Sequence, residues 1–242
     1  MGYAIHNSRA VKEKMEKKIR VAILDDHQGI IDGYLYRLSS AGDIEVVATM
    51  LYGQELEPIL AQKKVDVLIL DVHVPTGPHN PNPYPILHLI PMIVQVYPDI
   101  AILIISMHAQ RTLIHTVVES GARGYILKDD QASIRDLPNV VRTLAGEGIY
   151  LSEHAYQQLR KRYTGELDQP LSGRQLEALS LCAAYPDAST NDIARMMTIA
   201  PSTLRNLLSN GYLKLNVRTK AAAVARARQL GLITPNIPQL DF

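Results

Sequence analysis

Five residues have the types and spacing to move a phosphoryl group. Asp25 and Asp26 follow the short apolar run Val21-Ala22-Ile23-Leu24. Asp71 follows Val67-Leu68-Ile69-Leu70. Ser106 closes the run 100–105, and Lys128 follows Tyr125-Ile126-Leu127. Acids after strands often cap helices, and an isolated lysine is most often surface. The full set at successive strand ends is different. In an open parallel sheet, ligands bind beyond the carboxyl ends of the strands, at the point where strand order reverses. With order 2-1-3-4-5, strands one and three are neighbours there, so the three carboxylates converge. Crowded carboxylates repel unless a cation joins them, and an all-oxygen set that leaves room for phosphate oxygens suits Mg2+. A hydroxyl and an ammonium beside them supply the donor and the positive charge that a transferred phosphoryl group needs. Asp71 is then the nucleophile, and the product is an aspartyl phosphate. His73 and His79 lack the spacing of a dedicated His/Cys metal cluster.

The elements that must position these residues are legible from pattern. Apolar β-rich runs at 21–24, 44–48, 65–70, 100–105 and 125–127 alternate with helical spacing at 29–40, 56–62, 86–97, 113–120 and 134–144. Five strands alternating with five helices predict an α/β fold, a (βα)5 doubly wound parallel sheet of the flavodoxin-like kind. The runs at 67–70 and 100–105 have no polar side and are expected at its centre.

A polar helical stretch at 153–163 and a turn at 165–170 follow. The remainder is helical: Ser172 is a candidate N-cap, Ser189 or Thr190 caps a short second helix, Pro201 opens a third, and Thr219 caps a fourth that ends near Gly231. A short helix, a tight turn at Thr198-Ile199-Ala200 and a longer helix form an all-α helix-turn-helix. The domains expected are a basic lead at 1–18, the parallel-sheet domain at 19–145, a linker at 146–168 and the helix-turn-helix at 169–242.

Charge follows the same division. The whole chain carries +1, yet residues 19–145 hold nine Lys/Arg against fourteen Asp/Glu, and residues 169–242 hold eight against four. A basic second half is the one suited to phosphate backbones. A single cysteine, Cys182, excludes an intrachain disulfide. No run reaches the ~18 apolar residues of a membrane span, and the lead lacks a signal-peptide core. The sequence reads as a cytoplasmic protein with no membrane partner.

The stretches around Asp25-Asp26-His27, Asp71-Val72-His73-Val74-Pro75, Ile105-Ser106-Met107-His108 and Gly124-Tyr125-Ile126-Leu127-Lys128-Asp129 resemble the receiver domain of two-component response regulators. Leu171-Ser172-Gly173-Arg174-Gln175, Asn191-Asp192-Ile193-Ala194, Pro201-Ser202-Thr203-Leu204-Arg205-Asn206 and Lys214-Leu215-Asn216-Val217-Arg218-Thr219-Lys220 resemble the LuxR-type helix-turn-helix. Together they resemble the NarL/FixJ class. The resemblance implies Asp71 as phosphoacceptor, Asp25, Asp26, Asp71 and the backbone carbonyl of His73 around Mg2+, and Lys128 paired with the phosphoryl group. Ser106 and Tyr125 would be a switch pair, the hydroxyl moving toward phosphate and the ring turning inward. It also implies a sensor histidine kinase as partner, double-stranded DNA as target and a homodimer when active.

On the third helix Leu204, Leu208 and Leu215 share the core side. Arg205, Asn206, Ser209 and Asn210 lie opposite, where Arg can read guanine and Asn adenine. Ser202, Thr203, Lys214, Arg218 and Lys220 are expected at phosphates, which position without specifying.

Three departures stand out. The segment 76–85 holds four prolines in ten residues, a stiff, long loop beside the site. Leu207 stands where the family commonly has His. Gly211 lies inside the third helix and is expected to bend it, shorten it or open a contact. The loop and Gly211 support a rival reading, a phosphorylation-independent assembly protein with an inactive receiver. The intact acid, hydroxyl and lysine set opposes that rival. A metabolic enzyme ranks below both, since no second substrate pocket is legible.

Overall fold

The computed structural model describes residues 18–160 and 171–235. The basic lead before Lys18, the turn at 165–170, residues 161–163 of the polar helix and the chain end at 236–242 lie outside them.

Six parallel strands form the main sheet: β1 (Ile19–Leu24), β2 (Ile44–Met50), β3 (Val67–Leu70), β6 (Ala101–Ser106), β7 (Gly124–Leu127) and β8 (Tyr150–Leu151). Their spatial order is β2-β1-β3-β6-β7-β8, and β4 (Pro75–Gly77) and β5 (Asn80–Pro83) make a separate antiparallel pair. The first five strands of the main sheet have the order 2-1-3-4-5. The sixth was not expected. Tyr150–Leu151 pairs with β7, and helix α7 (Glu153–Arg160) packs against the same edge. Residues 150–160, placed in the linker from sequence, pack on the edge of the main sheet.

Strand periodicity divides the core. Val21, Ile23, Val67, Ile69, Leu103 and Ile105 face one side, against α1 (Gln28–Ser39) and α6 (Leu137–Ala145). Ala22, Leu24, Leu68, Leu70, Ile102 and Ile104 face the other, against α2 (Leu56–Gln62), α3 (Ile86–Val96) and α4 (Arg111–Glu119). Alternate residues of one strand point to opposite faces, so a strand covered on both sides is apolar throughout. The burial of every residue of β3 and β6 follows from that. The single helix expected at 134–144 is two: α5 (Gln131–Arg135) and α6, broken at Asp136. Pro138, near the start of α6, fits a first turn and would disrupt a helix interior.

The second domain comprises α8 (Gly173–Ala184), α9 (Thr190–Met196), α10 (Pro201–Lys214) and α11 (Lys220–Gln229) around Ala178, Leu179, Ile193, Leu204 and Leu215. Each helix start has a local cause. Ser172 accepts from Gln175 N while Gln175 returns a bond to Ser172 N, and Ser189 and Asp192 do the same for α9. Pro201 occupies the first turn of α10, and Thr219 caps α11. The turn between α9 and α10 closes through Ile199 N to Ala194 O at 3.0 Å, with Thr198 in the left-handed region at φ 54°. That is the bond pattern of a Schellman stop, and it sets α10 across α9. Gly211 does not shorten α10, which runs unbroken from Pro201 to Lys214.

Candidate functional site: an acidic receiver pocket and a reading helix

Register brings the five residues together. Leu24 pairs with Leu70, and Leu70 with Ile104, so Asp25 and Asp71 leave adjacent strands side by side. Ser106 pairs with Leu127, which delivers Lys128 to the same rim. Lys128 Nζ lies 2.7 Å from Asp25 Oδ2 and 2.6 Å from Asp71 Oδ2, with all three side chains nearly buried. The other oxygens of these acids organise the loops behind them: Asp25 Oδ1 accepts from His27 N at 3.0 Å, and Asp71 Oδ1 from His73 N at 3.1 Å. Asp26 is half as deep and meets His27 Nδ1 at 2.8 Å.

Burial pushes Asp71 up to about 6; Lys128 acts against this, and the Asp25 charge adds to it. Asp26 is raised by burial, with His27 acting against it and Asp25 with it. Lys128 is raised because its two carboxylates outweigh desolvation. Three carboxylates face one ammonium, which leaves an excess of two negative charges in a low-dielectric rim when all are ionised. A divalent cation removes that excess, and the oxygen donors are of the kind Mg2+ takes. The residues present fit the ion.

Ser106 is wholly buried, and its Oγ accepts from His108 N at 3.2 Å. Tyr125 is wholly buried as well, its ring turned inward and its hydroxyl donating to His108 O at 2.6 Å. The sequence reading assigned no role to His27 or His108. His27 meets both acids, and His108 packs edge-on to His73 with ring centroids 4.7 Å apart. Adjacency to Asp26 and Ser106 was the only available signal for either.

On α10, Arg205, Asn206, Ser209 and Asn210 are exposed together, while Leu204 is buried and Leu208 packs on the core. Ser202, Thr203, Arg218 and Lys220 are also exposed and Lys214 is half-buried. Lys220 Nζ donates to Pro186 O at 3.0 Å.

A phosphoacceptor-type pocket at the switch point of a parallel sheet, followed by a helix-turn-helix with an open polar face, defines a signal receiver coupled to a reading domain. Residues 21–139 match the response regulator receiver domain, and residues 169–227 match the bacterial regulatory proteins of the luxR family. The transcriptional regulatory protein MctR of Rhizobium johnstonii is 29% identical over 219 residues, covering 90% of this chain and 96% of that protein. The probable transcriptional regulatory protein NarL of Mycobacterium tuberculosis is 29% identical over 231 residues, covering 90% and 97%. The fold is shared with RcsB of Salmonella enterica serovar Typhimurium, solved bound to promoter rprA in the presence of phosphomimetic BeF3-. The TM-score is 0.58 at 21% identity, over 87% of this chain and 98% of that one. The chain belongs to the two-component response regulators of the NarL/FixJ class, DNA-binding transcription regulators built from a receiver and a LuxR-type helix-turn-helix. Among the described residues no helix is long and apolar enough to cross a membrane.

Proposed function

We propose that Asp71 is the phosphoacceptor of this regulator, and that a sensor histidine kinase or a small acyl phosphate supplies the phosphoryl group. The observation that carries this is the bridge of Lys128 between Asp25 and Asp71 in a nearly buried pocket. A carboxylate oxygen of Asp71 attacks phosphorus, a new O–P bond forms, and the P–N or P–O bond of the donor breaks as its leaving group departs with the electron pair. Lys128 passes from the Asp71 carboxylate to a phosphoryl oxygen, and the Ser106 hydroxyl donates to another. Asp25, Asp26, Asp71 and the His73 carbonyl would hold Mg2+, which would supply positive charge to the phosphoryl oxygens. The inward Tyr125, bonded to the His108 carbonyl two residues beyond Ser106, ties the hydroxyl's position to the loop before α4. The group that favours one position of this loop over another sets the population of the active state. The chain acts as a cytoplasmic regulator and not as a metabolic enzyme. Mg2+-dependent labelling by acetyl phosphate, read as a whole-protein mass increment, tests the assignment. Asp71→Asn is expected to abolish it; undiminished labelling of the variant places the acceptor elsewhere, and absence of labelling in the wild type favours the assembly reading.

The exposed face of α10 enters the major groove of double-stranded DNA. Arg205 and Asn206 read base edges near the helix start with Ser209 and Asn210 beyond them, while Ser202, Thr203, Lys214, Arg218 and Lys220 meet phosphates. Arg205 is the single cation on the reading face, so a homodimer on two half-sites supplies the affinity that one domain lacks. Arg205→Ala is expected to relax preference at one base position and cost about 1–3 kcal/mol on the best site. Lys214→Ala is expected to weaken all sequences alike and to lower the salt slope by about one unit. Titrations against specific and scrambled duplexes at several salt concentrations separate them. Equal losses on both duplexes for Arg205→Ala place that residue on a phosphate.

A further inference from the structure

The proline-rich segment after Asp71 is a built hairpin with a partner. Pro75 pairs with Pro83 and Gly77 with Asn80. Thr76 Oγ1 donates to Asn82 O at 2.8 Å, and Tyr84 N donates to Val74 O at 2.9 Å. The base is seated on the turn Gly53–Glu55: a Cβ on Gly53 would lie 2.0 Å from the Tyr84 ring, and one on Gly77 2.4 Å from Gln54 Oε1. The first approach requires glycine at 53; at 77 a side chain would displace only the flexible end of Gln54. At the tip, Asn80 Oδ1 accepts from Asn82 N and Asn82 Nδ2, which leaves its amide donor pointed outward. That donor reaches the second domain, bonding Ala184 O at 3.0 Å. Ala184 ends α8, where carbonyls have no partner within the helix. The receiver thus caps the first helix of the helix-turn-helix.

Other contacts extend the same interface. His88 Nε2 on α3 faces Glu177 Oε1 on α8 at 3.5 Å, both side chains largely buried. A cavity of about 150 Å³ between them is lined by Leu87, Pro91, Thr116, Leu176 and Leu232. Gly231, at φ 66°, lies so close to α4 that a Cβ there would be 3.3 Å from Leu113 N. Beyond it the backbone of Pro235 lies beside the His73 ring, which brings the chain after α11 to within two residues of Asp71. The reading face of α10 is on none of these contacts, and Arg205, Asn206, Ser209 and Asn210 stay exposed.

We propose that the 75–83 hairpin is an interdomain clasp that holds the helix-turn-helix domain, through the carboxyl end of α8, beside the phosphorylation site. Docking then governs access of the phosphodonor to Asp71 and leaves access of DNA to α10 unchanged. The proposal rests on Asp71 as acceptor only for its consequence, not for the clasp itself. Coupling is reciprocal: a domain contact that hinders phosphorylation is itself weakened by the phosphoryl group.

The test uses the full chain without phosphodonor and then with acetyl phosphate and Mg2+. Variants are Asn80→Ala, which removes the cap, and His88→Ala, which leaves the hairpin untouched. Asn80→Ala is expected to speed labelling about fivefold, the factor equivalent to a hydrogen bond of about 1 kcal/mol. Amide exchange is expected to rise in residues 231–234 and at the end of α8. His88→Ala should change both in the same direction, and DNA affinity without phosphodonor should equal that of the wild type for both. Wild-type labelling and exchange in both variants would overturn the clasp. A gain in DNA affinity in both variants would also overturn it, because the docked face would then cover the DNA surface. If no protein labels but exchange rises as expected, the clasp stands and the acceptor assignment falls.

Discussion

The pocket's chemistry depends on an imbalance that single residues create. Asp25 and Asp71 share one ammonium, and Asp26 meets the His27 ring instead. Burial and neighbouring charge raise Asp26 and Asp71 together. Both would hold their protons more weakly with a cation in place. Asp26 is the acid least tied into backbone turns, so it can be removed with the least damage to the loops. Asp26→Ala is expected to weaken Mg2+ binding by at least roughly tenfold, since loss of even an outer partner costs about 10–100-fold. The fold should hold, because one source of repulsion is lost. Mg2+ titration by calorimetry with a parallel thermal melt checks both. Wild-type affinity removes Asp26 from the ion.

At the scale of elements, most of the receiver's first five strands and all four helix starts of the second domain were legible in sequence. The reason is local. A strand buried on both faces must be apolar throughout, and Ser172, Ser189, Pro201 and Thr219 each satisfy or tolerate orphan amides at one position. What was not legible depended on distant partners. Tyr150–Leu151 is a strand only because β7 presents an open edge, and two residues carry too little pattern to announce it. The hairpin at 75–83 read as a stiff loop because prolines oppose sheet. Here it is a two-stranded ribbon in which Pro75 and Pro83 pair without a shared ladder of donors. The nearness of Asp25, Asp71 and Lys128 was legible because each follows a strand end, whereas the contacts of His27 and His108 depend on neighbours that only the folded chain supplies. Gly211 is the opposite case, a visible departure with little structural consequence. It lies inside an unbroken helix, and the nearest atom to a Cβ would be Leu171 Cδ2 at 4.0 Å. Gly211→Ala is therefore expected to stabilise the second domain by up to about 1 kcal/mol through helix propensity. Urea denaturation followed at a helical signal measures it; a loss of stability would mean that the backbone at 211 needs glycine.

The whole molecule joins an acidic receiver to a basic reading domain, and the contact between them involves α3, α4 and the hairpin on one side and α8 with the residues after α11 on the other. The α10 face lies outside this contact and stays exposed. An acyl phosphate differs chemically from phosphate on serine or histidine, because borohydride reduces it and converts the acceptor aspartate to homoserine. The decisive measurement is peptide mass spectrometry after labelling with acetyl phosphate and Mg2+ and reduction with borohydride. Homoserine is expected at position 71 alone, and none without Mg2+. Homoserine at position 25 or 26, or a phosphoryl group that resists reduction, would contradict Asp71 as the acceptor.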